Sequence, residues 1–509
     1  MEKTVYASDG GDVIKVKVRP RPLPPAPGPK VMNPYDLRAK LMFGDLPTLP
    51  SEITDDVYSS PAAHRILTTP SPQPFLDQEE EKLVEANEDK TPVNEKPVEK
   101  NKANLHPRFS KESVFSDKMG SAHNKCLVPD EHILSEIFPG IIDLNPSRCN
   151  VITNTFDSCT FSIQLETTLR PDYPKDLIIR LEKSGKSLAA LATFQRLAKS
   201  QLNDLIPAVL HVGTTRTLTA EKVEYFVTPY ITNVATLEDV YDTLNETNQL
   251  ELVKTVIFAV ENLHKLDLAQ SLKQTPYVSI DNSTSQTTNI AIGDLQRGFS
   301  PNFKEFLSKP LQPDNGKTPD WKLLETDNGI EIQSTHDDIG QIDFSHSELD
   351  ELQQHAVLCH NDLEPRNFLV REASPGNYEL AAIIDWDAVG IFPFAYEYGY
   401  KDTVLGSSNL SYSWYKLFKT QSSHLLPQGE CHTKLIKALQ IIDNSVRKSR
   451  GKNVGRLVQQ KWLDREQVEE SPDPRQGWVR KDGANPPKGF SNDDQRKLEY
   501  QALKELGRI

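Results

Sequence analysis

One stretch limits what this chain can fold into more than any other. It runs from Cys359 through His360, Asn361, Asp362, Leu363, Glu364, Pro365 and Arg366 to Asn367, and is followed by Ile383, Ile384, Asp385, Trp386 and Asp387. Residues 355–359 read as a buried strand entering a loop. Residues 367–370 and 378–384 read as a hairpin around the turn Ala373–Asn377. Such a hairpin delivers Asn367 and Asp385 to one edge. The chemistry suited by this set is phosphoryl transfer. It needs a carboxylate to orient and deprotonate a hydroxyl, which Asp362 offers. It also needs hard oxygen ligands for Mg²⁺, which Asn367 and Asp385 offer. His360 is expected to brace the loop through hydrogen bonds and not to act as the base.

At these residues the chain resembles the aminoglycoside phosphotransferase/choline kinase family, and most of all its large fungal branch. The clear match covers roughly residues 355–400, and a looser one about 150–270. Asn361 stands where that branch usually has Gly, and Asp387 where it usually has Glu. The resemblance implies an α+β fold, two-lobed and protein-kinase-like. It implies ATP and Mg²⁺ as cofactors and a small-molecule hydroxyl as acceptor. Asp362 and His360 become the catalytic positions, and Asn367 and Asp385 the metal positions.

Upstream, order is expected to begin near Pro129, with a helix start at Asp130. Strand runs follow at 150–156, 160–165 and 177–181. In the resembled family three such strands cover ATP. The loop between the first two would be Phe156–Cys159, with Ser158 at the nucleotide. It holds no glycine, the residue that lets backbone N–H groups approach phosphates closely. Arg180 falls where the family carries a phosphate-binding base. Across residues 187–199 no Glu stands where one would pair with that base. Residues 205–210 resemble the strand entering the adenine-binding linker, and Tyr230 is the candidate adenine contact. Residues 251–264 predict the central helix of the second lobe, with apolar positions 252, 253, 256, 257, 260 and 263. His264 at its end is read as capping or packing.

Composition divides the rest. Hydrophobic content is 37% with 36 prolines, low and high respectively for a wholly folded chain. The division expected is a disordered Pro-rich and acidic arm at 1–125, a nucleotide-covering lobe at 126–230, a second lobe at 231–430 and a helical C-terminal extension at 431–509. Residues 33–43 form a small apolar cluster, a candidate protein-docking motif within the arm. Residues 267–350 read as a long polar insertion whose acidic side chains, Asp294 and Asp338 among them, would face a cationic acceptor or simply water. The net charge of −14 argues against a nucleic-acid or anionic-membrane binder. Five scattered cysteines without a C-x-x-C pair, and no targeting or membrane-spanning run, read as a reduced, cytoplasmic setting. Cys431 and His432 form an adjacent pair with no further ligands in sequence, so metal binding is not expected there.

Two functional readings stay open. The first is an ATP- and Mg²⁺-dependent phosphotransferase acting on an alcohol group. The second, drawn from the Gly-free loop and the missing helix Glu, is a catalytically weak kinase-like protein that binds a ligand or partner.

Overall fold

The computed structural model describes residues 126–509 except 142–143, 169, 171–172, 184–186, 273–289, 309–318, 450–452 and 486–491, together with the strands Lys3–Ala7 and Ile14–Val18. These two strands pair antiparallel, Lys3 opposite Val18 and Ala7 opposite Ile14. The sequence supports them, because Ile14, Val16 and Val18 alternate with lysines. The remainder of the N-terminal arm, including the 33–43 cluster, lies outside the described residues.

The smaller lobe is a five-stranded antiparallel sheet. Its spatial order is Asn150–Asn154, Ser158–Gln164, Asp176–Lys183, Lys222–Pro229, His211–Arg216. Alternation assigns its two faces. Cys159, Phe161, Ile163, Leu177, Ile179, Leu181, Val223, Tyr225 and Val227 pack with Ile133, Leu134 and Phe138 in one cluster at the helix Glu131–Ile137. Their neighbours Ser158, Thr160, Arg180 and Glu182 therefore point to the opposite face. The expected strand at 205–210 begins later, at His211. Residues Asn203–Leu205 instead form a 3₁₀ turn, and the connection rejoins the sheet at Leu210, whose N–H donates to the Val227 carbonyl at 2.9 Å.

The helix Leu188–Leu202 starts at Ser187, whose side chain accepts from the Ala190 N–H at 3.2 Å. A second donor of that first turn, the Leu188 N–H, goes to Glu224 Oε2 at 2.7 Å. Two of the helix's otherwise unmet N–H groups are thereby satisfied.

The larger lobe is built around the helix Glu246–Leu263, capped by Asn245. Leu252, Val253, Val256, Ile257, Val260 and Leu263 are buried on it, the stripe that the 3.6-residue period predicts. The strand Ala356–Cys359 pairs antiparallel with Gly390–Pro393, in a four-stranded sheet completed by Ile292–Asp294 and Gly298–Ser300. The hairpin Phe368–Ser374 and Asn377–Ile383 stands beside it.

The segment read as a polar insertion is ordered in its described parts. Trp321–Thr326, Gly329–Ser334 and Gln341–Ser345 form an antiparallel meander. The helix His346–Gln354 comes next, held by a Ser345–Glu348 capping box. Trp321, Ile330, Ile332 and Phe344 supply the apolar anchors of the meander, so most of the alternation is hidden among polar residues. Asp294 is bound by Arg297 (Nε to Oδ2, 2.9 Å), and Asp338 by Lys448. Neither carboxylate is an uncommitted acceptor-binding group.

The helix Glu430–Ser449 packs into the same core as the central helix through Leu435, Ile436 and Leu439. Beyond the helix Val454–Glu466, a small hairpin, Val468–Glu470 with Trp478–Arg480, returns to the lobe. There Tyr398 Oη donates to the Arg475 carbonyl at 2.7 Å, and Trp478 Nε1 donates to the Asp402 carbonyl at 3.0 Å. Among the described residues no helix is long and apolar enough to cross a membrane.

Candidate active site

The strand Ala356–Cys359 leads into His360, and the chain then turns sharply. Asn361 has φ of 61°. This left-handed geometry favours Gly, and Asn is among the few side chains that tolerate it. Asn361 secures the turn through its own groups. Its N–H donates to Glu397 Oε1 at 2.5 Å, and its Nδ2 donates to the Ala388 carbonyl at 2.9 Å. Glu397 is thus a structural acceptor under the loop. Burial raises its carboxyl to about 7, while the bond from Asn361 works the other way.

His360 links the loop to the second motif. Nδ1 accepts from the Asp362 N–H at 3.3 Å, and Nε2 donates to the Ile384 carbonyl at 3.0 Å. Both contacts suit one neutral tautomer. The ring also packs edge-on against Trp386. Through these contacts His360 ties the loop to the second motif.

Asp362 is 1% exposed. Its carboxylate accepts from Arg366 Nη2 at 3.0 and 3.1 Å, and from Asn367 Nδ2 at 2.6 Å. Asn367 Nδ2 also reaches the Asp362 carbonyl at 2.7 Å. These bonds orient the amide so that Oδ1 lies on its other side. Burial raises the pKa of Asp362, Arg366 pulls it back, and Glu364 pushes it up again. Glu364 itself is held by Lys401 at 3.0 Å, both fully inside. Lys401 also donates to the Leu363 carbonyl at 2.8 Å, so a buried ion pair clamps the loop from behind.

Asp385 arrives from the hairpin. The Ile384 N–H donates to the Asn367 carbonyl at 2.9 Å, which sets Asp385 directly beyond Asn367. Its backbone is left-handed, φ 64° and ψ 66°. Burial first, then the neighbouring Asp387, raises its pKa, while Arg180 opposes. Burial thus pushes both Asp362 and Asp385 above the ordinary carboxylate range.

Arg180 brings positive charge across the cleft. Its Nη1 and Nη2 donate to the two oxygens of Asp387, each at 2.5 Å, joining residues 207 apart in sequence. Nε and Nη2 also hold Glu182 Oε1 at 2.8 and 2.6 Å. The counter-charge missing from the helix is thus present on the strand. Glu182 lies two residues beyond Arg180, and the period of two could have revealed it. Asp387, at the position where the resembled family usually has Glu, is the other partner of Arg180.

His360, Asp362, Asn367 and Asp385 come together, and Arg180 joins them through Asp387. Ser158 and Tyr230 make no hydrogen bond to this group among the described residues. Ser158 lies on the cleft face, opposite Glu182 in register, and its Oγ contacts Thr155 Oγ1 at 3.0 Å. The turn also closes on itself, because the Thr155 N–H donates to the Ser158 carbonyl at 2.7 Å. The Tyr230 N–H donates to the Asp176 carbonyl at 2.9 Å. That amide extends the sheet and is not available to an adenine edge. The sequence reading missed Arg366, four residues after Asp362.

Residues 166–401 match the profile of the phosphotransferase enzyme family. Among solved structures, the GDP complex of wild-type aminoglycoside 2'-phosphotransferase-IIIa is similar at 11% identity and a TM-score of 0.35, over 73% of this chain and 96% of that one. The GDP complex of a point mutant of that enzyme is similar at 13% identity and 0.34, over 65% and 91%. WaaP in complex with acyl carrier protein is similar at 11% identity and 0.30, over 64% and 99%. No curated protein matches the chain at a significant level.

Proposed function

Residues 166–401 form a domain of the phosphotransferase enzyme family, and from that premise we propose that the chain transfers the γ-phosphoryl group of ATP to a hydroxyl of a small molecule. One observation carries the reading. The buried Asp362 and the left-handed Asp385 meet at Asn367, with an arginine reaching in from the opposite lobe.

The donor set suits Mg²⁺, a hard cation that prefers carboxylate and amide oxygens. Asn367 and Asp385 would hold it, and it would neutralise phosphate charge during transfer. The chain's own residues do the rest. Asp362 receives the acceptor's proton as the new oxygen–phosphorus bond forms and the bond to the β-phosphate breaks, releasing ADP. Arg366 and Asn367 keep that carboxylate oriented and favour its ionised form. Arg180 offers a planar fork to phosphate oxygens, with Glu182 aiming it. Lys401, Glu364 and Glu397 hold the loop rigid from behind.

The test is phosphate transfer from MgATP to a panel of amino sugars, amino alcohols and sugars, beside calorimetry of nucleotide binding. Asp362→Asn should lower turnover by about 10²- to 10⁴-fold while leaving MgATP binding nearly intact. Asp385→Ala should remove the Mg²⁺-dependent part of nucleotide binding. MgATP bound as tightly by Asp385→Ala as by the wild type would refute the metal assignment. A second reading, a kinase-like binding protein, rests on Arg366 and Arg180 already occupying Asp362 and Asp387. Nucleotide binding without turnover of any acceptor would select it.

A further inference from the structure

The adjacent pair Cys431 and His432 has no companion ligands in sequence, but the fold brings two to it. Glu351 lies on the helix His346–Gln354, and His355 immediately follows that helix. Four residues apart, the two share one helical face. His432 lies in the first turn of the helix Glu430–Ser449. One donor atom from each of Glu351, His355 and His432 lies within 4.8 Å of the other two.

His432 gives the cluster its meaning. The residue is 0% exposed, and neither ring nitrogen has a hydrogen-bond partner among the described residues. A neutral imidazole carries one donor and one acceptor, and buried polar groups are rarely left so unmet. Neutral imidazole is the form that binds metals.

The neighbours are arranged to match. His355 Nδ1 lies 2.9 Å from the Glu351 carbonyl oxygen. It must donate there, which leaves the lone pair on Nε2. Metal-bound histidines characteristically anchor their second nitrogen in this way. His355 is exposed, so one side of the cluster is open to water.

We infer that Glu351, His355 and His432 bind a divalent transition-metal ion of the zinc class, with water completing the coordination. Two histidines and a carboxylate with an open position are a zinc-type donor set, and the nitrogen donors disfavour Mg²⁺. The site is separate from the one proposed for Mg²⁺. The strand Ala356–Cys359 lies between His355 and His360, roughly 16 Å at the rise of an extended chain. The ion would pin the start of that strand to the helix Glu430–Ser449.

The experiment uses the full chain, stripped with a chelator and then titrated with ZnCl₂ in excess MgCl₂. Calorimetry and thermal unfolding follow binding, and Co²⁺ absorbance follows coordination. We expect one Zn²⁺ per chain, a raised Tm and visible Co²⁺ bands. His355→Ala is at the surface and should fold with the Tm of the metal-free wild type. Both it and Glu351→Gln should weaken Zn²⁺ binding by at least about tenfold and remove the Tm rise. Three results would overturn the inference: no Zn²⁺ binding in excess Mg²⁺, binding unchanged in both variants, or binding lost in Asp385→Ala but kept in His355→Ala.

Discussion

At the scale of single residues, Asp362 is shaped by opposed forces. Burial favours its protonated form, and Arg366 and Asn367 favour the ionised form. If Asp362 acts as base, Arg366→Ala should move the acid limb of the kcat/KM profile to higher pH, because the carboxylate loses the charge that keeps it ionised. An unmoved limb would mean that Arg366 only holds the Ser408 carbonyl, to which it also donates at 2.5 Å. Glu397 makes a different prediction. Its folded pKa of about 7 lies above the ordinary 4.5. Its favourable contribution to stability is therefore complete below about pH 4.5 and lost as pH rises through about 7. Glu397→Gln retains an acceptor for Asn361 but cannot titrate. Urea midpoints at about pH 5 and about pH 8 should show the wild type losing a few kcal/mol relative to the variant. Arg180, Ser158 and Tyr230 were named only through the family resemblance; the candidates Asp362, Asn367 and Asp385 were legible from their own spacing. Arg366 was not, because an arginine in a loop carries no signal of which carboxylate it will meet. Asn361 was seen as a departure from Gly, and its positive φ shows why both residues suit the place.

Among the elements, the long amphipathic helix and the strand–loop–hairpin unit were readable because their apolar periods are strong. The meander at 321–345 was not. Trp321, Ile330, Ile332 and Phe344 are too few anchors to stand out in an otherwise polar sequence. The helix Leu188–Leu202 lacks the acidic residue expected on it, yet its start is tied to the sheet by Glu224. Glu224→Ala should cost about 1 kcal/mol of stability through the lost cap, seen as a lower urea midpoint. It should also loosen this helix more than the central one, which hydrogen exchange would report. Equal loosening of both helices would show that the cap supports the fold generally.

For the whole molecule, the two lobes meet through Arg180 and Asp387. Nucleotide phosphates would have to draw that guanidinium away from Asp387. Asp387→Asn weakens the competitor while Glu182 still aims the arginine. Binding of ATP without Mg²⁺ should therefore tighten several-fold, as calorimetry would show; weaker binding would make Asp387 a required part of the site. The C-terminal hairpin has a consequence of another kind. Tyr398 and Asp402, which receive it, share the helix Phe394–Thr403 with Glu397 and Lys401, the residues beneath the catalytic loop. A premature stop codon between the helix Phe394–Thr403 and Trp478 would thus reach the candidate site without altering a residue in it. Genetic lesions in this distant tail should mimic active-site defects, and shortening the gene for expression should fail at a boundary that the family match, ending at residue 401, gives no warning of.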